Sequence, residues 1–228
     1  MAKSLGRHKL PIILFDIDYT LFDANKFRRK IFRVIKKNIE DKEINNIDSI
    51  LKSAYIVSRK DTGHFRLSLF LEALATGLNK EIAPITLEKA IFREDIFTGN
   101  LYEGAKKVLQ SLSKNKLLKI GIFSAGDDAF QRKKIKEIEN FLHKDHIHIF
   151  TFKKSEKLDT IVKRYKKNKL YIVDDKLEIL YAAKSLNKTI FCIWIKRRKF
   201  ATQQEEIFDF RPDAIVVDLR EVVKIISP

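Results

Sequence analysis

Six short runs rich in isoleucine, valine and phenylalanine, alternating with helical patterns, constrain this chain more than any other feature. They are KLPIILFD (9–16), LLKIGIFS (117–124), HIHIFTF (146–152), KLYIVDD (169–175), TIFCIWI (189–195) and DAIVVD (213–218). Apolar strands separated by amphipathic helices specify a parallel sheet covered on both faces and built from right-handed crossovers. The helical faces are visible in Val108, Leu109 and Leu112, and again in Leu158, Ile161, Val162 and Tyr165. Ser155 is the expected N-cap of the second of these helices. The fold class is therefore α/β, a doubly wound, Rossmann-like parallel sheet.

One interval breaks the rhythm, because the first and second strands lie much further apart than a single crossover requires. Phe27, Ile31, Ile35 and Ile39 recur at four-residue spacing, and FRLSLFLEALATGL and ITLEKAIF continue the helical theme. The expectation is a helical insert over 24–98, with a core domain made of 1–23 and 99–228. TGNLYEG serves as the return hinge.

The chain is 45% hydrophobic with 17 phenylalanines, enough for a real core. No apolar run approaches the roughly 18 residues of a membrane helix, and the N-terminus is a poor secretory signal. The lone Cys192, inside an apolar run, fits a core position in a reducing cytoplasm. The net charge of +16 attracts phosphates and nucleic acid, although lysines mixed with acids on helical faces also describe an ordinary solvated surface.

In an open parallel sheet, chemistry collects at the carboxyl ends of the strands. The first strand ends in Asp16, Asp18 and Thr20, and the second in Ser124, followed by Ala125 and a helix start at Asp127. Lys153 and Lys154 follow the third, and Asp174 and Asp175 end the fourth. Four carboxylates on one edge call for a hard cation, and all-oxygen ligation suits Mg²⁺. A serine and backbone N–H groups before a helix, with a lysine nearby, suit anionic oxygens. Positioning and charge neutralisation are most of phosphoryl transfer.

In this order the motifs resemble the haloacid dehalogenase-like superfamily. DIDYT at 16–20 matches its first motif, Ser124 its second, Lys154 its third and IVDD at 172–175 its fourth. The match spans about 9–23 and 100–218, and the insert falls where the family places a helical cap. The resemblance implies Asp16 as nucleophile and Asp18 as general acid and base. It implies Mg²⁺ on Asp16, the Asp18 carbonyl, Asp174 and Asp175, and phosphoryl oxygens on Ser124, Ala125 and Lys154, with Thr20 orienting the loop. The dehalogenase branch lacks an acid at position 18, so a phosphatase is implied. Tyr19 departs from the glycine or aspartate common there, and Lys153 and Lys157 compete with Lys154 for the third motif.

The expected activity is hydrolysis of a small phosphomonoester in the cytoplasm. The charge motivates two rivals, a phosphatase on nucleic-acid ends and a basic binding module without turnover. No membrane partner is expected, and oligomeric state is silent. HKDHIHIF places His143, His146 and His148 close together without a cysteine or carboxylate cluster, and strand alternation sends His146 and His148 to one face. IKRRKF (195–200) reads as a solvated loop or a nucleic-acid contact. Lys26, Arg28 and Arg29 open the insert where they can lean over the site.

Overall fold

A computed structural model of the chain describes residues 9–39, 46–79, 82–197 and 201–226. The N-terminal residues 1–8 and the 198–200 portion of IKRRKF lie outside them. The sheet strands are β1 (Lys9–Phe15), β2 (Lys119–Ala125), β3 (Ile147–Phe150), β4 (Asn168–Asp174), β5 (Phe191–Ile195) and β6 (Ala214–Val216). All neighbours pair in parallel, in the order β3-β2-β1-β4-β5-β6. The chain steps outward from β1 to β3, then returns to lay β4 on the other side of β1. The switch in strand order therefore falls at β1, and the loops after β1, β2 and β4 surround one crevice.

Alternation along the strands separates two cores. Ile13 and Phe15 of β1 join Ile120 and Ile122, Tyr171 and Val173, and Ile193 and Ile195 on one face. Ile12 and Leu14 join Phe123, Leu170 and Ile172, Cys192 and Trp194 on the other. The first face is covered by α6 (Ala105–Ser113), α7 (Asp128–Ile135) and α10 (Leu219–Ile226), the second by α8 (Lys154–Arg164) and α9 (Leu177–Leu186). Leu14 is fully buried, so its truncation to alanine costs about 2–5 kcal/mol. Two sequence details follow from the pairing. Pro11 cannot donate to the ladder, and the β1–β4 register slips between Lys9 and Ile12. Gly121 is obligatory because a Cβ there would stand 2.2 Å from the His146 carbonyl oxygen.

Between β1 and α6 lie, among the described residues, five helices: α1 (Ala24–Asn38), α2 (Ile47–Val57), α3 (Leu67–Leu78), α4 (Pro84–Ile91) and the single turn α5 (Glu94–Phe97). Phe27, Ile31 and Ile35 form the buried stripe of α1. The two chain segments that join these helices to the sheet are laced together. Asp23 N–H donates to the Asn100 carbonyl at 2.7 Å, and Tyr102 N–H to the Leu21 carbonyl at 2.9 Å. The fully buried Asn100 amide donates to the carbonyls of Ile96 and Phe97, both at 2.7 Å, satisfying the end of α5. Phe130 of α7 meets Phe65, Phe92 and Phe97 at centroid distances of 5.6, 4.6 and 5.5 Å, which fastens the helices to the sheet layer. No helix among the described residues is long and apolar enough to cross a membrane.

The helix beginning near Ser155 differs from expectation. Its N-cap is Lys153, whose backbone is non-helical (φ −58°, ψ 132°), and Ser155 lies inside the first turn. The chain turns two residues early because Lys154, the first helical residue, is pulled inward by two carboxylates. His146 and His148 do share one face, and both meet the Tyr165 hydroxyl, at 2.8 and 2.6 Å.

Candidate active site

The end of β1 carries Asp16 into the crevice, where it is buried. Ser124, at the end of β2, donates its hydroxyl to Asp16 Oδ1 at 3.0 Å. Lys154 Nζ donates to the same oxygen at 2.8 Å and also to Asp174 Oδ2 at the end of β4. Of the three candidate lysines, Lys154 is thus the one enclosed by the acids. Lys153 stays on the cavity wall, and Lys157 lies over the Phe152 ring. Backbone donors hold the end of β4 in place. Asp16 N–H donates to the Val173 carbonyl at 2.9 Å, and Lys176 N–H to Asp174 Oδ1 at 2.9 Å.

Asp16, Asp174 and Asp175 each offer an oxygen within 4.8 Å of the others, and all three residues are buried. Burial and the neighbouring Asp174 push the Asp16 carboxyl up to about 6, against the opposing pull of Lys154. Burial, then Asp174 and Asp16, push Asp175 well above the usual carboxylate range. Burial works against the charged form of Lys154, yet Asp16 and Asp174 outweigh it and hold the ammonium above its ordinary value. Asp175 Oδ2 is buried with no hydrogen-bond partner. A partnerless oxygen beside two further buried carboxylates fits a hard divalent cation, whose charge would favour the ionised forms of Asp16 and Asp175 that burial opposes.

Asp18 stands apart from that group. Its carboxylate is held by Lys134 of α7 at 2.8 and 2.7 Å and by the Gln131 side-chain amide at 3.1 Å. Gln131 also donates to the Ala125 carbonyl at 2.8 Å. Gly126 makes room for it, since a Cβ there would stand 2.6 Å from Gln131 Nε2. Neither Gln131 nor Lys134 is foreseen from the sequence. The signal available was their spacing after the Asp127 N-cap, which puts both on one face of α7. Tyr19 has a left-handed backbone, φ 64°, which explains a preference for glycine or aspartate at this position. Thr20, expected to orient the loop, lies outside the residues that line the cavity. It is fully buried, its hydroxyl has no hydrogen-bond partner, and its carbonyl accepts from Arg197 at 2.9 Å.

A cavity of about 520 Å³ opens over these residues, lined by Asp16, Asp18, Ser124, Lys154, Asp174 and Asp175 below. Arg28, Tyr55, Arg59 and His64 from the helical segment line it as well. Of the basic residues that open α1, only Arg28 lines it; Lys26 Nζ instead donates to the Gly99 carbonyl at 2.7 Å, and Arg29 is exposed. A second cavity of about 600 Å³ adjoins it past His64 and Phe130, but none of the four acids lines it.

A model of the haloacid dehalogenase-like hydrolases matches residues 10–187. The chain belongs to that family. Solved structures agree in fold with this hydrolase. A haloacid dehalogenase-like hydrolase from Burkholderia xenovorans is 20% identical, with a TM-score of 0.71 over 95% of this chain and 96% of its own. The hydrolase YfnB from Bacillus subtilis, solved with magnesium, is 15% identical, with a TM-score of 0.67 over 96% of this chain and 100% of its own. The L-2-haloacid dehalogenase of Xanthobacter autotrophicus, solved with chloropropionic acid covalently bound, is 14% identical, with a TM-score of 0.62 over 95% and 98%. No curated protein matches this hydrolase by sequence.

Proposed function

We propose that this hydrolase is a Mg²⁺-dependent phosphatase of small phosphomonoesters, acting in the cytoplasm, with the helices over 24–98 as its cap. The observation that carries the reading is the second carboxylate, Asp18. It lines the cavity beside Asp16 but belongs to a separate set of partners. A haloalkanoate expels a halide that needs no proton, whereas an ester oxygen must be protonated as it leaves.

In this reading an Asp16 oxygen attacks phosphorus, the ester P–O bond breaks, and the departing oxygen takes a proton from Asp18. Asp18, now a carboxylate, takes a proton from water. That water attacks the aspartyl-phosphate and returns Asp16 and inorganic phosphate. Ser124 and Lys154, which already converge on Asp16, donate to the phosphoryl oxygens. Asp16, Asp174 and Asp175 would hold the metal ion, which would supply positive charge against the phosphoryl group. Lys134, at 2.8 and 2.7 Å, holds the Asp18 carboxylate in place at the edge of the cavity.

The test is a panel of phosphomonoesters and 2-chloropropionate, each with Mg²⁺ and with EDTA. The expected result is phosphate release from the esters that stops in chelator, with no chloride release. Chloride release without phosphate would make the protein a dehalogenase, and chelator-resistant phosphate release would remove the metal.

A further inference from the structure

The wall of the cavity facing Asp18 carries positive charge that the proposed chemistry does not use. The Arg28 guanidinium lies 5.0 Å and that of Arg59 5.5 Å from the centroid of the Tyr55 ring. Arg59 is anchored, its Nε and one terminal nitrogen donating to the Gly63 carbonyl at 3.1 and 2.7 Å. Both arginines are half-buried, and neither has a carboxylate partner among the described residues. By contrast Arg93, Arg132 and Arg220 are each paired with a nearby aspartate. Asp61, two residues from Arg59, also lines the cavity but is exposed and pairs with neither.

Two half-buried guanidiniums sharing one ring repel each other and lose hydration, which is offset when an anion sits between them. Their planar forks match the oxygens of a carboxylate or phosphate. Their place in the cavity separates them from the reacting phosphoryl group. Both arginines and Tyr55 come from the helical segment, whereas Asp16, Asp18, Ser124, Lys154, Asp174 and Asp175 line the same cavity from the sheet side. Ser124 and Lys154 already converge on Asp16, so the arginines are left for the part of the substrate beyond the phosphoryl group. We infer that Arg28 and Arg59, with Tyr55 between them, form a subsite for a second anionic group on the alcohol portion of the substrate. The substrate class is then a phosphomonoester whose alcohol carries its own carboxylate or phosphate. This rests on the phosphatase reading for the direction in which the leaving group departs.

Binding tests it without turnover. Calorimetry in Mg²⁺ compares propylphosphonate with 3-phosphonopropionate and with propane-1,3-diylbisphosphonate, none of which is an ester. The charged tails are expected to bind about tenfold or more tighter than the propyl tail, and the tighter of the two identifies the second anion. In the Arg28→Gln/Arg59→Gln double variant that preference should fall to about twofold. Three results overturn the inference: equal affinities in the wild type, a preference that survives in the variant, or equal weakening of all three ligands. The last would place the guanidiniums on the reacting phosphoryl group. Tail-selective binding by a protein that releases no phosphate would sink the hydrolytic reading and leave the subsite standing.

Discussion

Lys134 Nζ lies 2.8 and 2.7 Å from the two carboxylate oxygens of Asp18, a pairing that joins the loop after β1 to α7. The lysine is nearly enclosed, with 9% of its side chain exposed against 27% for the aspartate. It also lies 5.4 and 5.5 Å from the Phe22 and Phe27 ring centroids. Removing either partner strands the other in a dry setting. Lys134→Met and Asp18→Asn should each lower stability by about 1–3 kcal/mol. The double variant should lose clearly less than the sum, with a coupling of about 0.5–3 kcal/mol. Urea denaturation of the three variants measures it, and strictly additive losses would show that the pair is not energetically coupled.

Asp18→Asn separates the acid from the base step. An amide cannot protonate an alkoxide, so an alkyl phosphate should lose turnover by about 10²–10⁴-fold, while p-nitrophenyl phosphate, with its better leaving group, loses less in the first step. Water activation still fails, so the aspartyl-phosphate should accumulate. Rapid-quench or stopped-flow measurement should show a burst of p-nitrophenol followed by slow turnover. Equal slowing of both substrates with no burst would leave Asp18 without an acid-base role.

His148 predicts an acid sensitivity away from the site. Burial, then the charges of Arg164 and His146, pull its imidazole down to about 4. The unfolded chain, with an ordinary value of 6.5, binds the proton more readily. The folded state should therefore lose stability as pH falls from about 6.5 to about 4, and no further below that. Asp16, raised to about 6, opposes this in the metal-free protein, because its excess proton is lost as pH rises through that value. Comparing wild type with His148→Phe cancels the Asp16 contribution. Thermal melts of both proteins from pH 7 to pH 4 should show a shallower acid loss in the variant. Parallel curves would mean that His148 titrates alike in both states.

Local pattern was enough for much of this protein. Short continuous apolar runs placed the six strands to within a few residues, since a strand buried on both faces has to be apolar along its length. The acids at 16, 174 and 175 and Ser124 were legible because a doubly wound sheet brings its strand ends to one edge, whatever the loops do. Side-chain direction was not legible. Lys26, Arg28 and Arg29 sit within one turn of α1, yet only Arg28 reaches the cavity, because each residue rotates the helix face by about 100°. The sequence favoured Lys154 for the third motif but left Lys153 and Lys157 open, and the structure encloses Lys154 between Asp16 and Asp174. The Lys134–Asp18 pair spans 116 residues and depends on where α7 comes to rest against the first loop, which packing decides and no periodicity records. The sequence by itself determined the sheet, its edge and the acids on it. The tertiary structure decided which cations face them, because charge pairing acts through space over a few ångströms and is blind to separation along the chain.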